Sequence, residues 1–170
     1  MKKIVLAFLL TLFAGISSAQ LVHTKGQMSL GVRGGGAYHG WNVGMMYDYH
    51  FNNIIALLVE FDRERAKFEF SEFNNKFLLG VGADFNVWNP KPKLFVQTSV
   101  CANVGRDVWE CTVMDWTHDC VMFGANAGLG LEIVPWNHFS LLLKGRQWVL
   151  FGGGDSYAKP DYSLGLKINW

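Results

Sequence analysis

Four sets of residues in this 170-residue chain have the types and spacing that could do chemistry. His138 and Ser140 stand two apart, and a histidine beside a serine can take its proton and leave a nucleophile. Cys111, His118 and Cys120 bring metal-ligand atoms close together, although their spacing matches no standard zinc pattern. Gly34-Gly35-Gly36 and Gly152-Gly153-Gly154 have the glycine density of a phosphate loop. Neither is followed by Lys and Ser or Thr, nor by a helical pattern, so both read as loop or bulge glycines. The last set is the largest: Arg33, Glu60, Asp84, Glu132, Lys144, Arg146 and Lys167 are charges at alternate positions of otherwise apolar segments.

Those charges belong to a repeating pattern. Eight segments alternate apolar and polar side chains with a period of two, as strands with two unlike faces do. The expected strands run over about 27–33, 39–49, 54–61, 76–88, 94–104, 121–133, 139–149 and 161–170. Short turns near Asn52, Pro90 and Asn137 alternate with longer loops, among them a charged one from Asp62 to about Asn75 and another ending near Asp119. On the fourth strand Phe77, Leu79, Val81, Ala83, Phe85 and Val87 oppose Leu78, Gly80, Gly82, Asp84 and Asn86, and Pro90 and Pro92 are expected to end its ladder. Strand seven fits less well, with Gln147 on the apolar face and Leu142 on the polar one, which a bulge or shift would explain.

Residues Met1–Ala19 read as a secretory signal peptide: Lys2 and Lys3, an apolar run from Ile4 to Phe13, then Ser17 and Ala19 before a cut at Gln20. That run is too short to anchor the chain as a transmembrane helix. The remaining 151 residues (170 − 19) are expected to form one domain, 20–170. Without the two leader lysines, thirteen basic residues face fourteen acidic ones, which argues against a nucleic-acid binder. With 13 Phe, 7 Trp, 5 Tyr and 19 Gly and few helical periodicities, the apolar faces point to lipid rather than to a compact core.

The fold class expected is therefore all-β, an eight-stranded antiparallel up-and-down transmembrane β-barrel. A soluble sandwich or lipocalin-like barrel would put its apolar face inside. Here the opposite face carries Arg33, Glu60, Asp84, Glu132, Lys144 and Arg146 among glycines, too many charges for a dry core but suited to a lumen whose charges neutralise one another. With the amino terminus in the periplasm, the short turns are periplasmic and the long loops face outward. Eight strands leave an interior that side chains fill, so a plugged structural barrel is expected. The three cysteines outside the leader allow three pairings; Cys111 with Cys120 would staple the loop between them, leaving Cys101 alone. Trp109 and Trp116 are candidates for an outward contact surface, or for the aromatic girdle. The run from Asp62 to Lys67 reads as a solvated rim, with lipopolysaccharide phosphates as another possible contact.

The final residues, Ser163 to Trp170, resemble the sorting signal that ends bacterial outer-membrane barrels, with Gly165, Ile168 and Trp170 at its marked positions. Leu143-Lys144-Gly145-Arg146-Gln147-Trp148-Val149-Leu150-Phe151-Gly152 and Gly165-Leu166-Lys167-Ile168-Asn169-Trp170 together resemble the conserved end of the TraO family of conjugative-transposon proteins from Bacteroidetes. The resemblance extends to Phe123-Gly124-Ala125, to Asn42-Val43-Gly44 and, more loosely, to Lys25-Gly26. It implies an outer-membrane barrel without enzymatic activity or cofactor, working in a mating apparatus through contacts with outer-membrane lipid and with other conjugation or envelope proteins, and not directly with nucleic acid. The alternative is a general small barrel for envelope integrity or adhesion. His138-Phe139-Ser140 is also similar to the His-x-Ser pair of outer-membrane lipid A deacylases, which would make the chain a hydrolase. That pair lies beside an expected periplasmic turn, and no acidic residue follows it on the same face of strand eight.

Overall fold

The computed structural model describes residues 23–37, 40–67, 72–91, 93–111, 116–136, 138–152 and 157–170; the expected signal peptide, residues 1–19, lies outside them. Eight strands follow in order: β1 (Met28–Ala37), β2 (Gly40–His50), β3 (Ile55–Lys67), β4 (Glu72–Lys91), β5 (Leu94–Cys111), β6 (Trp116–Trp136), β7 (Phe139–Gly152) and β8 (Tyr157–Asn169). Each pairs antiparallel with the next, and β8 pairs with β1, so the sheet closes into the up-and-down barrel that the alternation predicts. At the seam Met28 and Trp170 exchange two backbone hydrogen bonds of 3.0 Å.

One row of paired residues fixes the geometry. It runs Gly165, Arg33, Gly44, Asp62, Leu78, Gly105, Met122, Gly152 across β8 and then β1 to β7. Gly165 itself pairs with Leu142 of β7, so the row returns ten residues (152 − 142) along that strand. With ordinary strand spacings, a stagger of ten over eight strands tilts them by about 40°.

The polarity of the barrel is inverted relative to a water-soluble one. Outward Leu129 and Leu164 are each 68% exposed, whereas inward Glu60 and Lys167 are each 1% exposed. Along β5 the outward residues are apolar or small from Leu94 to Val104, and Arg106 follows. At roughly 3.3 Å per residue and about 40° of tilt that stretch is about 25 Å tall, the height of the apolar band of a membrane-spanning barrel. Hydrocarbon, not water, is the solvent this face matches.

Several sequence-based boundaries need correction. The charged stretch expected as a loop from Asp62 to Asn75 is mostly strand: β3 continues to Lys67 and β4 starts at Glu72. Likewise β5 and β6 stay paired through Cys111 and Trp116, where a long loop was expected. Above the apolar band charged and amide side chains stand on both faces of these strands, so the period-two signal fades although the hydrogen-bond ladder continues. β4 also passes through Pro90, with register shifts between Asn86 and Trp88 and between Trp88 and Lys91 that spare the missing N–H a ladder partner. Strand seven pairs regularly with β8 from Phe139 to Leu150, and the irregularity in its ladder with β6 falls between Ile133 and Trp136 of β6, not at Leu142 or Gln147. Leu142 is simply a lumen residue, packed with Met46, Leu58 and Cys101, and Gln147 faces outward. Gly34 to Gly36 lie within β1, not in a loop; a Cβ on Gly35 would come within 1.8 Å of the Tyr162 carbonyl of β8.

Candidate functional site

The feature that sets this interior apart is a column of charges filling the lumen. Its centre is built on the row just traced. Arg33 of β1 and Asp62 of β3 flank Gly44 of β2. Because Gly44 has no side chain, the guanidinium lies over it, donating through Nε and Nη2 to the two Asp62 carboxylate oxygens at 3.2 and 2.6 Å. Arg33 also reaches Glu60 at 2.8 Å. From β7, four strands away around the wall, Arg146 crosses the lumen to the same two acids, at 3.2 Å from Glu60 and 2.9 Å from Asp62. Its other edge is held by Asp161 of the neighbouring β8, at 3.0 and 2.5 Å. Trp148 Nε1 donates to Asp161 at 2.9 Å, and Asn126 Nδ2 donates to Glu60 at 2.7 Å. Two guanidiniums thus bind three carboxylates in a closed set. Buried charges are tolerable when they are paired and hydrogen-bonded in this way.

Towards the end where Met28 and Trp170 meet, Lys167 of β8 sits between Asp48 of β2 at 2.7 Å and Glu132 of β6 at 3.1 Å. Ser29 and Gln97 donate to these acids at 3.0 and 2.7 Å. His23, upstream of β1, folds back under this layer. Its Nδ1 lies 2.9 Å from His50 Nε2, its Nε2 lies 3.5 Å from Glu132, and its ring stands edge-on to Phe95. Burial drives the His23 imidazole down to about 4, against the raising effect of Glu132, so it is neutral at pH 7. Towards the opposite end Lys159 pairs with Glu64, Lys76 stands 4.0 Å from Glu64, and Asn74 donates to Asp107 at 2.5 Å. Between the ionic layers lie apolar ones, Met46 with Leu58, Cys101 and Leu142, and Leu78 with Met122, Trp148 and Leu150.

Of the residues singled out in the sequence, Arg33, Glu60, Asp84, Glu132, Lys144 and Arg146 are all buried on the lumen face. Asp84 is not among the acids that pair with Arg33 or Arg146. Sequence reasoning did not place Asp62, Glu64, Lys76, Asp107, Lys159 and Asp161 here, though all are buried inward too. Parity along the extended strands was the one available signal for them.

The proposed Cys111–Cys120 staple is absent: both are free thiols. Cys111 pairs with Trp116 and Cys120 with Asp107, an offset of four residues along the ladder. That places their Cα atoms roughly 13 Å apart, well beyond disulfide reach. Trp109, a candidate for an outward contact surface, does not stand in a loop. It belongs to β5, half-buried on the lumen side and paired across the ladder with Asn74 and His118. Trp116 starts β6 at the same end. Ser140 points into the lumen, accepting from Asn169 Nδ2 at 2.6 Å, while His138 Nδ1 lies 3.1 Å from the Asn169 carbonyl. The two are thus tied to Asn169 and do not form a pair facing lipid. Of the C-terminal signal, Gly165 and Ile168 pair with Arg33 and Leu30 of β1, and Trp170 completes the seam with Met28.

No protein-family model matches this chain, and no curated protein matches it. Solved structures do match in fold. Ail, the attachment invasion locus protein of Yersinia pestis, is 16% identical with a TM-score of 0.62, over 86% of this chain and 100% of that one. Neisserial surface protein A is 11% identical with a TM-score of 0.66, over 84% and 95%. The outer membrane protein OprG from Pseudomonas aeruginosa is 8% identical with a TM-score of 0.59, over 88% and 98%.

Proposed function

We propose that this chain is a non-enzymatic outer-membrane barrel that serves as a component of a conjugative DNA-transfer apparatus. Its membrane placement is supported by the apolar outer band around an ion-filled lumen, and by the likeness in fold to small outer-membrane barrels. The observation that carries the role in transfer is the resemblance of two segments to the TraO family. Those segments, 143–152 and 165–170, form most of β7 and the end of β8, and they contain Lys144, Arg146, Trp148 and Lys167 of the lumen. The family-like part of the chain is therefore its plug and its seam.

In this role the barrel is a rigid body. Side chains from opposite walls meet inside it, so the transferred strand passes beside the barrel and not through it. Strands β4, β5 and β6, of 20, 18 and 21 residues, outrun the 10 residues of β1 and raise a polar hairpin wall beyond the band. That wall is the surface offered to other envelope or mating proteins. An in-frame deletion in a donor cell tests the reading. Transfer of the mobile element should fall sharply and return on complementation. Unchanged transfer would favour the second reading, a general envelope or adhesion barrel, to which the likeness to an attachment invasion locus protein lends support.

A further inference from the structure

The alternation of β3 sorts its charges by sign. Asp62 and Glu64 point into the lumen, where Arg33, Arg146 and Lys159 bind them. Arg63, Arg65 and Lys67 point outward, so they are not neutralised by their own sequence neighbours. Among the described residues none of the three has a carboxylate partner. They continue the outward column of Ile55, Leu57, Val59 and Phe61, so they begin where the apolar band ends. The next strand supplies rings beneath them: the Arg63 guanidinium carbon lies 5.4 Å from the Phe77 centroid, that of Arg65 4.7 Å from Phe73, and Lys67 Nζ 6.0 Å from Phe73. A ring face steadies a guanidinium and leaves its N–H edge free for an oxyanion.

The strip is local. At this end of the barrel the other outward cation among the described residues is Arg106, which Asp119 already holds in a two-point pair. One outward acid, Glu110, stands on β5 beyond Phe73. Three unpaired cations on one strand, at the edge of a hydrocarbon-matched band, with aromatic rings that can lie against acyl chains, match an anionic lipid head group. They are far from the start of β1 and the end of β8, where Met28 and Trp170 pair at the opposite mouth.

We propose that Arg63, Arg65 and Lys67, backed by Phe73 and Phe77, form a binding site for the phosphate groups of a lipid A-type glycolipid in the leaflet that the hairpin tips reach. The site rests on the membrane-spanning reading with the termini on the periplasmic side, and not on the role in transfer. Phosphate would accept charge-assisted hydrogen bonds from the two guanidiniums and the ammonium, while the acyl chains run down the band over Phe61 and Leu79.

The test uses the refolded barrel in phosphatidylcholine nanodiscs, doped in parallel arms with bisphosphorylated lipid A, with the same lipid A stripped of its phosphates, or with phosphatidylglycerol. The lipid retained by the extracted protein is counted by native mass spectrometry. The wild type should retain bisphosphorylated lipid A and lose it when the phosphates are removed, a comparison that needs no variant. The Arg63→Gln, Arg65→Gln, Lys67→Gln triple variant should bind about a hundredfold more weakly, from roughly a factor of five per basic residue near a charged surface. An Arg106→Gln variant should bind as the wild type does. Equal retention of phosphatidylglycerol, indifference to the phosphates, or full retention by a folded triple variant would each overturn the proposal. Failure of the wild type to enter nanodiscs as a heat-modifiable barrel would instead overturn the membrane reading on which it stands.

Discussion

Arg146 joins β7 and β8 to the far wall of the barrel, and no other side chain can replace its geometry. Its removal would take from Asp161 its paired guanidinium and leave Arg33 as the one guanidinium bound to Glu60 and Asp62. Breaking a buried ion set from one side costs about 3–5 kcal/mol. Arg146→Leu should therefore lower the unfolding free energy of the refolded barrel by that amount, read as a lower midpoint in a urea titration in detergent, with Arg146→Lys falling between. An unchanged midpoint would mean the network contributes nothing to stability. His23 makes a second prediction at this scale. Docked, its imidazole titrates at about 4, below its ordinary 6.5, with Glu132, Asp48, Lys167 and His50 as the charged or titratable groups around it. The proton thus binds the undocked segment more readily, so docking is strongest above pH 6.5. It weakens as pH falls from there towards 4, about tenfold per unit. Hydrogen exchange of the Gly26 amide, which is bonded to the His50 carbonyl, should report this after correction for intrinsic rates, and His23→Gln should flatten the pH dependence. Part of this chemistry was legible in the sequence: Arg33, Glu60 and Glu132 stand out because their strand neighbours are apolar or glycine, and Arg146 by its parity with Lys144. Asp62 and Glu64 do not, because Arg63 and Arg65 beside them are polar as well, and His23 lies before any strand pattern begins.

At the scale of the element, glycines decide which charges can meet across a strand. A Cβ on Gly44 would sit 2.3 Å from an Asp62 carboxylate oxygen and 2.8 Å from the Phe61 carbonyl. Gly44→Val should push Arg33 and Asp62 apart and destabilise the barrel by about 1–3 kcal/mol. Gly130→Ala, whose new methyl meets Leu142 no closer than 3.4 Å, should be nearly silent in the same urea titration. Equal effects of the two would contradict the bridging role given to Gly44. The order, number and facing of the strands were legible, because a period of two survives wherever one face meets hydrocarbon. Their lengths were not. β3 to β6 extend past the band into a zone where both faces carry polar residues, and there the hydrogen bonds reveal the strand. Pro90 misled for a related reason: a proline ends a regular ladder but is accommodated at a register shift.

For the whole molecule, the governing fact is the inversion: charges inside, Leu129, Leu164 and their neighbours outside. A closed sheet leaves no backbone edge for lipid to solvate, and the ion sets pair most of the charges that the lumen buries. The C-terminal strand completes this, since the Met28 and Trp170 bonds close the last gap in the ladder. The role in DNA transfer stands on sequence resemblance and is tested by the donor deletion. The membrane barrel stands on the geometry itself. Its most direct test is fractionation of cell envelopes followed by electrophoresis of the protein with and without boiling. The account predicts recovery with the outer membrane and a faster-migrating unboiled form that converts on heating, whereas a soluble periplasmic protein with a single, heat-independent mobility would contradict it.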